Sequence, residues 1–328
     1  MKLSVLPLIL MFRIVPLLVL VLVCLLLPGQ LAPKPSSTLA LPPDTAGILE
    51  QIYSGRRDLA FMQIYQLQEQ APEHPLGYLL EAEADWWKIW CLSAEFKYGM
   101  TMARHHRKAP SDERYLELTS KAYNLAEDTL QQRNTADMHL YAAMADALAA
   151  RLYGLRGEYH ATAKAGVRAR ENFLVALKMD PTLADAYTGL GLYNYYVDTL
   201  SVLAKAMRFL MGIPGGTKEE GIRQLEKGMQ QGQLSTVSAR FYLALNLFNY
   251  DQKYERALEL VNPLAERYPN NPMFQLMRAD LNAKLGRKRA AETGYHTAER
   301  DIPEVPEADC RAKIKELVGQ SLEALEQK

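Results

Sequence analysis

Beyond residue 44, apolar side chains recur three and four positions apart and almost never alternate. This predicts amphipathic helices throughout and no sheet. Punctuation agrees with that reading. Asp44 precedes Ile48, Leu49 and Ile52 as a predicted N-cap, and Asn271-Pro272 places a cap and a first-turn proline before another apolar run. Pro214-Gly215-Gly216 makes a turn, and Thr217 with Glu220 then has the spacing of a capping box. Thr182 with Asp185 has the same S/T-x-x-D form.

The first residues follow another rule. Ile14 to Leu27 is a run of 14 apolar residues behind Arg13, within the range of a signal-peptide core and short of the roughly 20 residues of a membrane span. Residues 1–32 are therefore read as a signal peptide or, if uncleaved, a membrane anchor. Pro33 to Pro43 is a Pro- and Ser-containing linker.

The helical part repeats. Pro269 and Pro303 lie 34 residues apart, and Ala257 with Ala291, Val261 with Tyr295 and Leu264 with Ala298 keep the same phase. Ala169, Phe173, Ala176 and Pro181 reproduce this small–large–small–proline order, and Tyr187, Leu190 and Gly191 follow it. A weaker copy runs Gly55, Ala60, Ile64, Leu67, Pro72. A small residue belongs where two helices press closest, a large one belongs a turn later, and proline stops the helix before it.

On these residues the chain resembles the tetratricopeptide-repeat family, in particular exported bacterial members. The resemblance is strong over 163–303, fair over 45–75 and poor between. It implies an all-α, tetratricopeptide-type solenoid of helical hairpins, a right-handed superhelix behind the signal or anchor segment. The expected division is 44–160, a degenerate N-terminal helical region, then 161–305, the array, then 306–328, a capping helix. Between Gly191 and Gly221 the pattern is interrupted by an apolar, tyrosine-rich insertion, at 192–220. Gly157 lies 12 residues before Ala169, which predicts a lengthened hairpin.

The resemblance also implies a concave groove lined by the first helix of each pair. Its expected partner-binding residues are Tyr195, Tyr196, Tyr242, Asn246, Asn249, Tyr250, Asp280 and Lys284. Amides there would bond a peptide backbone, and phenols would supply area with a polar tip. The implied function is a scaffold of the cell envelope or periplasm that binds a protein or peptide.

Composition narrows the alternatives. Lys plus Arg and Asp plus Glu both number 38, so no basic surplus favours nucleic acid. No HExxH, GxSxG or CxxC occurs, and no catalytic residue, metal or cofactor is expected. Cys91 and Cys310 would lie at opposite ends of an extended array, too far apart for the roughly 7 Å Cα separation that a disulfide tolerates. Trp86, Trp87, Trp90 and Phe96 form the densest aromatic cluster, read first as core, with a ligand pocket using Glu83 and Asp85 as the alternative. A small-ligand receptor or enzyme centred on Trp86 and Trp90 is thus one competing function. A membrane-tethered structural component, with Val202 to Ile213 touching lipid, is the other. His105, His106, His139 and His160 are read as structural or solvated.

Overall fold

The computed structural model describes residues 39–93, 108–302, 305 and 307–327, and among these the ordered elements are all helices. The leader, Phe96, His105, His106 and Pro303 lie outside the described residues. Among the described residues fourteen helices follow one another: α1 (Thr45–Tyr53), α2 (Arg57–Gln70), α3 (Pro75–Ser93), α4 (Pro110–Gln132), α5 (Ala136–Leu155), α6 (Tyr159–Met179) and α7 (Ala184–Thr199), then α8 (Val202–Leu210), α9 (Lys218–Gln231), α10 (Thr236–Asn249), α11 (Tyr254–Arg267), α12 (Pro272–Lys284), α13 (Lys288–Arg300) and α14 (Ala308–Glu326). Leaving α8 aside, each packs on the next, as in a helical solenoid. No helix among the described residues is long and apolar enough to cross a membrane.

The repeated small and large positions form the hairpin contacts. Ala257, Val261, Leu264, Ala291, Tyr295 and Ala298 are all buried. The turn glycines Gly55, Gly157 and Gly286 share a positive φ near 70°, which a Cβ would strain. After Gly157 the hairpin is long: α5 and α6 have 20 and 21 residues, against 13 each in α12 and α13.

Three local expectations change. Asn271 caps α12 and Thr217 caps α9 through their side chains, but Asp44 stands at the N-cap of α1 in a left-handed conformation without a side-chain bond. Asp185 does not cap α7. Its buried carboxylate instead accepts the N–H groups of Gln233, Leu234 and Ser235 at 2.9–3.1 Å, tying the α9–α10 connection to α7. The interruption is also shorter than the glycines suggested. Residues 192–199 continue α7, and Gly221 marks the crossing of α9 over α7, where a Cβ would lie 2.8 Å from the Gly191 carbonyl oxygen.

The largest departure is that the two ends of the array meet. α3 is buried on nearly every side and packs against α14 as well as against its neighbours. Trp87 lies 5.3 Å from Phe241 of α10 and 5.6 Å from Phe274 of α12, ring centre to ring centre, and Trp90 lies 5.1 Å from Phe241. The Asn271 amide donates to the Tyr53 carbonyl at 2.7 Å, and Arg57 bridges Asp85 and Glu307. Cys91 and Cys310, expected to be far apart, have Cα atoms 5.8 Å apart and form a disulfide. The expectation assumed an open array, whereas α3 carries the first hairpins onto the last.

Closing a loop with a sequence separation of 219 removes chain entropy worth about 5 kcal/mol as an upper figure. Cys91→Ser/Cys310→Ser should therefore lower the unfolding free energy by roughly 3–5 kcal/mol in urea titrations of the oxidised protein, and parent and variant should converge once the parent is reduced.

Candidate functional site

The interior of the closed array holds a charged cluster built from four helices. Arg151 of α5 donates to Glu83 of α3 at 2.9 Å, to the Tyr115 hydroxyl of α4 at 3.0 Å and to the Tyr242 hydroxyl of α10 at 3.1 Å. Its guanidinium carbon lies 4.0 Å from the Trp86 ring centre, in cation–π contact. The side chains of Arg151 and Glu83 are only 11% and 14% exposed, so the pair is effectively desolvated. Burial pulls the Arg151 pKa down, yet the Glu83 charge and the two phenols outweigh it and hold the guanidinium well above its usual value. Burial raises the Tyr115 phenol to about 12 and lifts Tyr53 well above the ordinary range. Arg151, Tyr115 and Tyr53 do not titrate near neutrality, which suits a fixed structural junction better than proton transfer.

The tryptophan region is core. Trp86 and Trp90 are buried and Trp87 is half-buried. Glu83 and Asp85, the candidate ligand-binding carboxylates, are engaged by Arg151 and Arg57. The cavity beside Trp87 and Cys91 is about 70 Å³, well below the roughly 300 Å³ at which small-molecule pockets begin.

The eight expected groove residues separate into two groups. Tyr195, Tyr242, Asn246 and Asp280 are buried, Tyr242 against the charged cluster and the other three within the packing of α7, α10, α12 and α13. Tyr195 donates to the Asn246 carbonyl at 3.1 Å, and Tyr295 donates to Asp280 at 2.7 Å. Tyr196, Asn249 and Tyr250 are half-buried near the C-terminal ends of α7 and α10, and Lys284 is exposed at the end of α12. The rings of Tyr195, Tyr196 and Tyr250 lie 6.0–6.2 Å from one another. Beside them Lys218 pairs with Asp251 at 2.6 Å, and its backbone N–H donates to Asp198. This aromatic and charged rim is the accessible part of the expected groove.

His139 bonds Asn172 and Asn134, while His160 is exposed. His74 packs on Tyr141, and burial lowers its pKa. Among the described residues no group of three or more ligand side chains could hold a metal. Sequence reasoning missed Arg151. The available signal was that Asp146 and Arg151 are the only charges between Tyr141 and Leu155, in an alanine-rich helix where a charge needs a partner.

Arg151→Met should destabilise the fold by about 3–5 kcal/mol by stranding Glu83, and Glu83→Gln in the same chain should recover part of the loss in denaturant unfolding. A pH dependence is expected at the rim. The Lys205 ammonium and the Lys218 N–H hold the Asp198 carboxyl below its usual value. This contribution is fully present above the unfolded value near 4 and fades as the pH falls through the lower folded value. The Lys218 amide signal should therefore move only below about pH 4 in an NMR titration.

Among curated proteins none matches this chain. One family model does match, over residues 82–299, and its description is regulator of microtubule dynamics protein 1-3. No tetratricopeptide family matches, which overturns both the resemblance drawn from the 34-residue phase and the assignment to exported envelope proteins. Small–large–small spacing follows from packing any helical hairpin, and the strict period covers only the α11 and α13 segments, so it indicated architecture rather than kinship. The match takes in about two thirds of the 328 residues, including Arg151, the rim and both partners of the α7–α9 crossing, and the chain belongs to the regulator of microtubule dynamics protein 1-3 family.

Proposed function

We propose that this chain is a binding scaffold, without catalytic chemistry of its own, that holds a segment of a partner protein against the rim at the ends of α7, α10 and α12. The observation that carries the reading is the division of the expected groove. Its deep positions are occupied by the protein's own side chains, while Tyr196, Asn249, Tyr250 and Lys284 remain within reach of solvent. Tyr250 and Lys284 are 34 residues apart, so they occupy the same register in successive hairpins. Half-buried tyrosines with an adjacent amide supply rigid apolar area and hydrogen bonds at little entropic cost, which is the composition of a protein-contact surface. The family's name supplies the first partner to test, the microtubule.

The reading includes a right-handed superhelical path for the hairpins. It also includes a membrane tether at the N-terminus, supported by the uncharged run Ile14 to Leu27.

Co-sedimentation of the full chain with stabilised microtubules is the direct test. Binding by the parent and a roughly tenfold weaker Kd for Tyr196→Ala/Tyr250→Ala/Lys284→Ala, with unfolding otherwise unchanged, is the expected result. Absence of parent binding would remove the microtubule as partner, and equal binding by the variant would remove the rim.

A further inference from the structure

α8 is turned inside out. A helix on a water-facing surface keeps its apolar stripe inward and its charges outward. In α8 none of the residues is buried, and Val202, Leu203, Phe209 and Leu210 are each between 75% and 86% exposed, with Met207 and Met211 about half exposed. Its two charges turn back toward the body: Lys205 pairs with Asp198 at 2.8 Å, and Arg208 donates to the Ile213 carbonyl at 3.0 Å. Among the described residues α8 has no substantial packing against any other helix.

The protrusion has a fixed stem. Tyr193 donates to the Pro214 carbonyl at 2.8 Å. Asp198 receives both Lys205 and the Lys218 N–H. Ser201 caps the first turn by accepting the Ala204 N–H, and Gly215 lies so close to the Arg208 guanidinium that a Cβ would come within 2.9 Å of it. α7 and α9, which flank the loop, are locked at the Gly191–Gly221 crossing. The apolar side chains are thus presented on a held element rather than on a loose loop.

We propose that α8 is a membrane-surface wedge: it inserts Val202, Leu203, Phe209 and Leu210 into the acyl boundary of a lipid bilayer. Three features select lipid over a protein partner. The apolar side chains project from a nine-residue helix against which no other described helix packs substantially, which suits a deformable acceptor. Val202, Leu203, Phe209 and Leu210 recur at i and i+7 and so share one face of α8, with Lys205 and Arg208 on the other, the order of a helix lying in the headgroup region. The same chain carries the uncharged apolar run Ile14 to Leu27, which supports a membrane location and ties this inference to the tether reading; the rim reading is independent of it. A single short apolar element binds membranes marginally, so a wedge is effective when a second anchor holds the protein close. With both engaged, the body is held at two points and loses its freedom to rotate about the linker.

The test reads the tip locally, so that the N-terminal segment cannot imitate the answer. Phe209→Trp is introduced into the full chain, which is then placed in phosphatidylcholine vesicles with ordinary or brominated acyl chains. The wedge predicts a blue-shifted emission component absent from the parent and an about twofold loss of that component in brominated vesicles. Adding Leu203→Glu and Leu210→Glu should abolish both changes while the protein still floats with the vesicles through its tether. Emission that stays unshifted and unquenched while the protein is vesicle-bound would overturn the proposal. A concentration-dependent dimer in sedimentation, lost in the Leu203→Glu/Leu210→Glu variant, with no quenching by brominated lipid, would overturn it in favour of self-association. Failure of the parent itself to float would count against the tether reading alone; the same Phe209→Trp signal, read with the chain held on nickel-chelating vesicles through an N-terminal histidine tag as the second anchor, then decides the wedge.

Discussion

The rest of the structure depends on α3 being buried on almost every side. A solenoid helix normally has an apolar face toward its neighbours and a polar face toward solvent. α3 instead places Trp87 and Trp90 against Phe241 and Phe274, helices far along the chain, and its Glu83 against Arg151 of α5. Once those aromatic contacts form, an array that would otherwise be stabilised only by nearest neighbours acquires long-range closure. The price of closure is an ion pair out of water; the Tyr115 and Tyr242 hydroxyls and the Trp86 face add partners for the guanidinium, while its Nε stays buried without a hydrogen bond.

Closure decides which surfaces are free to work. The inner side of α10 is filled by the protein itself, so Tyr242 and Asn246 belong to the core of the closed body. The accessible residues of the expected groove lie at the C-terminal ends of α7, α10 and α12, where the tyrosine trio sits beside the Lys218–Asp251 pair. The Asp198 carboxylate joins that rim to α8, because it holds Lys205 on one side and the start of α9 on the other. Two exposed elements of different character therefore stand next to each other on one stem, one amphipathic and aromatic, the other apolar.

Much of the fold was legible in the sequence because it rests on local rules. Three-and-four spacing identified helices, Asn271 and Thr217 marked two starts, and the repeated alanines identified the tight faces of α11 and α13. What was not legible is nonlocal. Nothing in the residues around Cys91 announces that Cys310 will lie beside it, since the meeting is made by ring packing between helices well over a hundred residues apart. Asp185 looked like a cap because its spacing from Thr182 fits, yet three N–H groups of a distant connection offer the carboxylate more bonds than its own helix end does. The register of the rim could be read from the 34-residue phase, but which residues would be covered depends on α3, outside that phase. The apolar insertion was visible as composition; that its charges point inward is a fact of three dimensions.

Closure is tested most directly by peptide mapping of the air-oxidised, non-reduced full chain, with and without denaturant during oxidation. The account predicts that oxidation of the folded protein yields a single linkage, between the peptides containing Cys91 and Cys310, and that oxidation in denaturant scrambles the pairing to include Cys24. Free thiols at Cys91 and Cys310, or a pairing of either with Cys24 in the folded protein, would contradict it and return the array to an open solenoid.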